Sequence, residues 1–202
     1  MVSVSQAPTG TRIANLVSNV LNPFVTAGLA LLALACDAFT DFGEVLKWAV
    51  IITAVSILPV IGGILYLVRI GRLDGLFASV RQQRTEVYVL AVVFTAIDYV
   101  ILRYLNAPQI FIAALGTGLL GLIIFMAINF WWKISLHTAF ASSLVTVLVI
   151  VCGWWGLAFT PLVLLIGWAR VRLKEHTLAQ VVTGALLSAG IGVIGFGLWG
   201  FV

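Results

Sequence analysis

Two histidines, His137 and His176, are the only imidazoles among 202 residues, and each stands among hydroxyls and cations. The first lies in the string Lys133-Ile134-Ser135-Leu136-His137-Thr138. The second follows Arg170, Arg172 and Lys174 and opens the string His176-Thr177-Leu178-Ala179-Gln180. Two imidazoles beside several cations suit phosphoryl transfer. Cations neutralise the non-bridging oxygens and the charge that builds in the transition state. One imidazole can attack phosphorus and carry the phosphoryl group while the other protonates the leaving oxygen. No metal or other cofactor is expected, because protein cations can supply the charge. Two histidines without a carboxylate cluster also make a poor metal site.

Spacing refines the picture. Ser135 stands just before an apolar run and is placed to cap a helix, whose free N–H groups attract an anion. If the chain there is extended, Lys133, Ser135 and His137 share one side; if helical, Lys133 and His137 meet at i, i+4. Arg172, His176 and Gln180 fall four apart and would share a helical face. Gln180 can then accept a hydrogen bond from one imidazole nitrogen and leave the other with its lone pair. A third polar string, Arg81-Gln82-Gln83-Arg84-Thr85-Glu86, adds two more cations.

The composition decides which elements must carry these residues. The chain is 62% hydrophobic and only 9% charged, whereas soluble domains run at roughly 45–50% and about 25%. Disorder needs the opposite balance. Cys36 and Cys152 lie in or beside apolar runs and read as packing residues, not as a disulfide scaffold. The chain therefore reads as an all-α, polytopic transmembrane helix bundle forming a single domain, residues 1–202. Stretches of about 20 apolar residues number seven: Ile13–Cys36, Leu46–Val68, Val87–Leu105, Ile110–Phe130, Thr138–Cys152, Trp155–Trp168 and Leu178–Phe201. The fifth and sixth, parted only by Gly153 and Trp154, predict a tight hairpin; as one kinked element they would reduce the total to six. Met1 to Thr11 lacks the basic start and short apolar core of a signal peptide.

Seven crossings put Arg12, Arg69, Arg72, Arg81, Arg84, Lys133, Arg170, Arg172 and Lys174 on one face, nine of the eleven basic residues. That face is expected to be cytoplasmic in the cell membrane. Both histidines lie on it. Pro23, Pro59 and Pro161 fall within the spans, where neighbouring groups can satisfy freed carbonyls. Gly184, Ser188 and Gly192 form a small-residue stripe suited first to packing within the chain and second to a homodimer contact. Trp131, Trp132, Trp154, Trp155 and Trp168 read as interfacial belt residues.

Lys133-x-Ser135-x-His137 and Arg170-x5-His176, with the strings Trp168-Ala169-Arg170-Val171-Arg172 and His176-Thr177-Leu178-Ala179-Gln180, resemble two motifs of the type 2 phosphatidic acid phosphatase superfamily. These lipid phosphatases are related to the vanadium haloperoxidases. The resemblance runs from about Arg69 to the C-terminus and implies a divergent branch. It implies that His176 is the nucleophile that forms a phosphohistidine, that His137 is the general acid, and that Ser135 and Arg170 hold phosphate. The superfamily's remaining motif, Lys with Arg seven residues on, has no counterpart, because Phe77 stands seven before Arg84. Arg84 and Arg81 are its substitutes, with Lys133 as a further cation. Leu136 stands where the superfamily has Gly, Thr85 where Pro usually follows the Arg, and Gln180 where an Asp orients the nucleophile.

The expected function is metal-independent hydrolysis of a lipid or isoprenoid mono- or diphosphate. The partners are then the bilayer and that substrate, with no nucleic acid. Two other classes stay open. One is a non-catalytic member that binds phospholipid head groups. The other is a small-molecule transporter built on Asp98, an acid in the middle of the third span. The structural reading of Asp98 is a pairing with Arg103 or a hydrogen bond to a neighbouring helix.

Overall fold

The computed structural model describes residues 8–78 and 80–202, and every regular element among them is helical. Residues 1–7, the start of the segment read as no signal peptide, lie outside them. In chain order the helices are α1 (Thr9–Val20), α2 (Pro23–Ala38), α3 (Phe42–Ile52), a π turn (Thr53–Ile57), α4 (Leu58–Arg69), α5 (Arg81–Tyr104) and α6 (Gln109–Asn129). Then come α7 (Leu136–Cys152), a 3₁₀ segment (Gly153–Phe159), α8 (Thr160–Arg172) and α9 (Leu178–Leu198). Five helical runs are long and apolar enough to cross a membrane: Phe42–Arg69, Arg81–Tyr104, Gln109–Asn129, Leu136–Arg172 and Leu178–Leu198. The bent pair α1 and α2 makes a sixth if it is one crossing.

The expected first span, Ile13–Cys36, is therefore not one straight helix; it bends by 47° between α1 and α2. The cause is local. Asn22 Oδ1 accepts hydrogen bonds from the N–H groups of Phe24 at 2.9 Å and Val25 at 3.1 Å. Asn22 thus caps a new helix, with Pro23 at its first position, where a missing N–H costs nothing. Pro59 acts differently. It follows the π turn Thr53–Ile57, where the Leu58 N–H reaches back five residues to the Thr53 carbonyl. The wider turn takes up the hydrogen bond that proline cannot donate.

The chain divides into two compact units, Met1–Ala30 with Ile134–Gly190 and Leu31–Lys133 with Ile191–Val202. In the first, α1 packs on α8, and α8 on α7. Gly153 takes φ +63° and ψ −147°, a conformation open only to glycine. There the chain turns back on itself. A Cβ on Gly156 would strike the backbone of Leu148 and Val149, and one on Gly167 would lie 3.7 Å from Thr138 Cγ2. The α7–α8 pair is thus an antiparallel hairpin. In the second unit α5 packs on α6, α4 and the π turn, and a Cβ on Gly63 would meet Leu90. Trp48 stacks between Phe39 and Phe111, with centroids 6.3 and 6.0 Å away. Cys36 and Cys152 are unpaired, as expected, but exposed instead of packed inside.

Candidate functional site

The site is built where α7 and α9 begin. A ladder of small hydroxyl side chains joins these helices side by side. Thr138 Oγ1 donates to the Val181 carbonyl at 3.1 Å, and Ser142 Oγ to the Ala185 carbonyl at 2.8 Å. Further along, Ser188 Oγ donates to the Ala139 carbonyl at 2.8 Å and lies 2.7 Å from Ser143 Oγ. Residue numbers rise together along both helices, so the helices are parallel and their N-termini lie at the same end. Gly184 permits the approach, since a Cβ there would stand 2.7 Å from the Ser135 carbonyl oxygen. The small-residue stripe is thus used within the chain at Gly184 and Ser188.

His137 is the second residue of α7, and His176 stands two residues before α9. Both are buried, at 4% and 6% exposure. A long hydrogen bond of 3.4 Å from the Ser135 N–H to the Gln180 carbonyl ties the two helix starts together. Residues 133–135 are not helical and Ser135 is extended, but the helix begins at Leu136, so neither the fully extended nor the fully helical arrangement expected for Lys133, Ser135 and His137 forms. Ser135 sits at the N-cap position, yet its hydroxyl makes no capping bond. This Oγ is fully buried and has no hydrogen-bond partner among the described residues. It is a buried polar atom beside two helix N-termini, whose N–H groups and dipoles favour an anion.

The loop between α8 and α9 fixes Arg170 relative to His176. The Lys174 N–H bonds the Val171 carbonyl at 3.0 Å, and the Glu175 N–H bonds the Arg170 carbonyl at 3.1 Å. This is a Schellman closure, with Lys174 at φ +57° in the position that usually holds glycine. The His176 N–H bonds the same Arg170 carbonyl at 3.3 Å. The arginine side chain is buried, with Nη1 donating to Ser18 Oγ of α1 at 2.8 Å and Nη2 lying 3.6 Å from Glu175 Oε2.

Gln180 does two things. Its Oε1 accepts from the Thr177 N–H at 3.1 Å while its own N–H donates to Thr177 Oγ1 at 3.3 Å. That is a capping box at the start of α9. The same Oε1 lies 3.1 Å from His176 Nδ1. An N–H donor identifies the amide atom facing it as oxygen, so Nδ1 is the donor in this contact, and in the neutral ring Nε2 then holds the lone pair. The single helical face expected for Arg172, His176 and Gln180 does not form, because α8 ends at Arg172 and α9 starts at Leu178. The capping box brings His176 and Gln180 together instead. Arg172 is exposed beside Gly10.

Ser135, His137, Arg170, His176 and Gln180 therefore all belong to the first unit. Arg81, Arg84 and Lys133 belong to the second. Arg81 opens α5 and donates from Nη1 to the carbonyls of Asn129, at 2.8 Å, and Phe130, closing the end of α6. Arg84 is buried, its Nε donating to the Ala78 carbonyl at 2.9 Å. Lys133 is half-buried in the extended chain before α7. Among the described residues no three His, Cys, Asp or Glu side chains converge as metal ligands.

Three supporting residues escaped the sequence reading. Thr177-x-x-Gln180 carries a recognisable capping-box spacing. The pairing of Thr138 with α9, and of Ser18 with an arginine 152 positions away, has no sequence signal. Comparison of the chain with protein-family models, curated proteins and solved structures finds no match.

Proposed function

We propose that this chain is an integral membrane phosphatase that hydrolyses a lipid or isoprenoid mono- or diphosphate through a phosphohistidine. The observation that carries the reading is the buried His176, whose Nδ1 meets the Gln180 amide oxygen at 3.1 Å. That contact presets Nε2 as a nucleophile at the joined starts of α7 and α9. The unpartnered Ser135 hydroxyl and the buried Arg170 guanidinium support a phosphate there. The motif resemblance assigns the same roles. Arg81, Arg84 and Lys133 are proposed, from the sequence, as further cations for the head group.

In this reaction the Nε2 lone pair attacks phosphorus, the bond from phosphorus to the leaving oxygen breaks, and His137 gives that oxygen a proton. Water then adds to the phosphohistidine and the P–N bond breaks. His137 takes back a proton, and inorganic phosphate departs. With the α1–α2 pair as one crossing and the α7–α8 hairpin as two, the chain crosses seven times, with the histidines on the basic, cytoplasmic face.

The test is phosphate release by the full chain in detergent with EDTA, using phosphatidic acid and prenyl diphosphates. Wild type releases phosphate and His176→Ala does not. Release unchanged in that variant, or absent from every substrate in wild type, overturns the reading. A second reading, a non-catalytic head-group binder, is favoured by the capping role that accounts for Gln180 without catalysis. Binding of the same lipids without turnover is its signature.

A further inference from the structure

Asp98 lies deep in α5, is 1% exposed, and takes no part in the chemistry proposed above. Its Oδ2 has no hydrogen-bond partner among the described residues. The expected partner, Arg103, is exposed and forms no ion pair with it. The π turn packs against α5, and its Ser56 faces the Asp98 carboxyl. Ser56 Oγ is itself buried and makes no hydrogen bond of good geometry. A carboxyl and a hydroxyl thus meet where two helical runs of membrane-spanning length pack together.

Among the described residues no ion pair to Asp98 is formed by Lys or Arg. The helix α6 carries no titratable side chain and neither does the π turn. From α4 come only Tyr66 and Arg69, both exposed. A carboxylate ionised in hydrocarbon without a counter-charge is costly. A protonated one can donate its O–H to Ser56 Oγ, which faces it from the turn. Among the described residues one carboxyl and one hydroxyl meet there, too few ligands for a hard metal ion.

We propose that Asp98, with Ser56 and the π turn, forms a proton-binding site inside the second unit, separate from the histidine site. π turns inside helices often mark functional sites. The site holds and releases a proton at the Asp98 carboxyl, accepting from Ser56 when ionised and donating to it when protonated.

The test is labelling of the full chain in liposomes with dicyclohexylcarbodiimide, which needs a protonated, membrane-embedded carboxyl. The carboxyl proton passes to a carbodiimide nitrogen as the carboxyl oxygen bonds the central carbon. One adduct is expected, mapped to Asp98, fading as pH rises and absent in Asp98→Asn. Ser56→Ala is expected to change the pH at which labelling fades. Phosphate release is expected to be unchanged in Asp98→Asn, so this inference and the phosphatase reading fail separately. No adduct on Asp98, labelling that ignores pH, or protection by sodium at constant pH overturns the proposal.

Discussion

Gln180 Oε1 lies 3.1 Å from His176 Nδ1 and also 3.1 Å from the N–H of Thr177. One oxygen therefore holds the imidazole and the start of α9 at once, so the orientation of the histidine is coupled to a helix cap. Removing the amide should act on both. Gln180→Ala is expected to lower turnover by on the order of 10²-fold and stability by about 1 kcal/mol. Gln180→Glu keeps the acceptor and is expected to retain activity. Phosphate-release rates and thermal unfolding in detergent check the pair.

Ser135→Ala separates function from folding. Its hydroxyl is buried without a hydrogen bond, so deleting it should leave stability within about 0.5 kcal/mol of wild type or raise it. Losing a donor to the transition state should still cost about 10² in turnover. A large loss of stability would show that the hydroxyl has a structural partner.

Two glycines beside α7 should respond unequally. A Cβ on Gly184 meets a backbone oxygen at 2.7 Å, whereas one on Gly167 meets the tip of the Val181 side chain at 2.7 Å. A side-chain tip can move and the carbonyl cannot. Gly184→Ala is expected to cost about 1–3 kcal/mol, and Gly167→Ala less; unfolding of the two variants in one detergent ranks them.

Lys174 holds a left-handed conformation, φ +57°, in the loop joining Arg170 to His176. Lys174→Gly should relieve about 1 kcal/mol of strain, raising the unfolding midpoint with turnover unchanged. A fall in the midpoint would contradict the Schellman reading of this loop.

The general-acid role of His137 has its own signature. His137→Ala should lose turnover on alkyl phosphates, whose leaving oxygen needs a proton, and keep most of it on an aryl phosphate that leaves unaided. Equal losses on both would remove His137 from that role.

The helical class was legible because it rests on local pattern. Long apolar runs predict helices, and Gly153 predicts the hairpin. The bend at Asn22 was hidden because hydropathy is indifferent to a cap inside an apolar run. The face shared by Arg172, His176 and Gln180 failed because Lys174, a residue without a breaking signal, adopts a glycine-like conformation. The ladder of Thr138, Ser142, Ser143 and Ser188 was illegible for another reason. In the sequence these hydroxyls look like ordinary polar positions within spans, and their partners lie 43 to 49 residues away. Tertiary packing determines such pairs.

The most direct measurement is to trap the covalent intermediate. The full chain in detergent is quenched during turnover of a radiolabelled lipid phosphate, and the label is mapped by peptide. The account predicts an acid-labile, alkali-stable phosphoryl group on His176, absent from His176→Ala. Turnover with no label on His176, or with label on another residue, would contradict it.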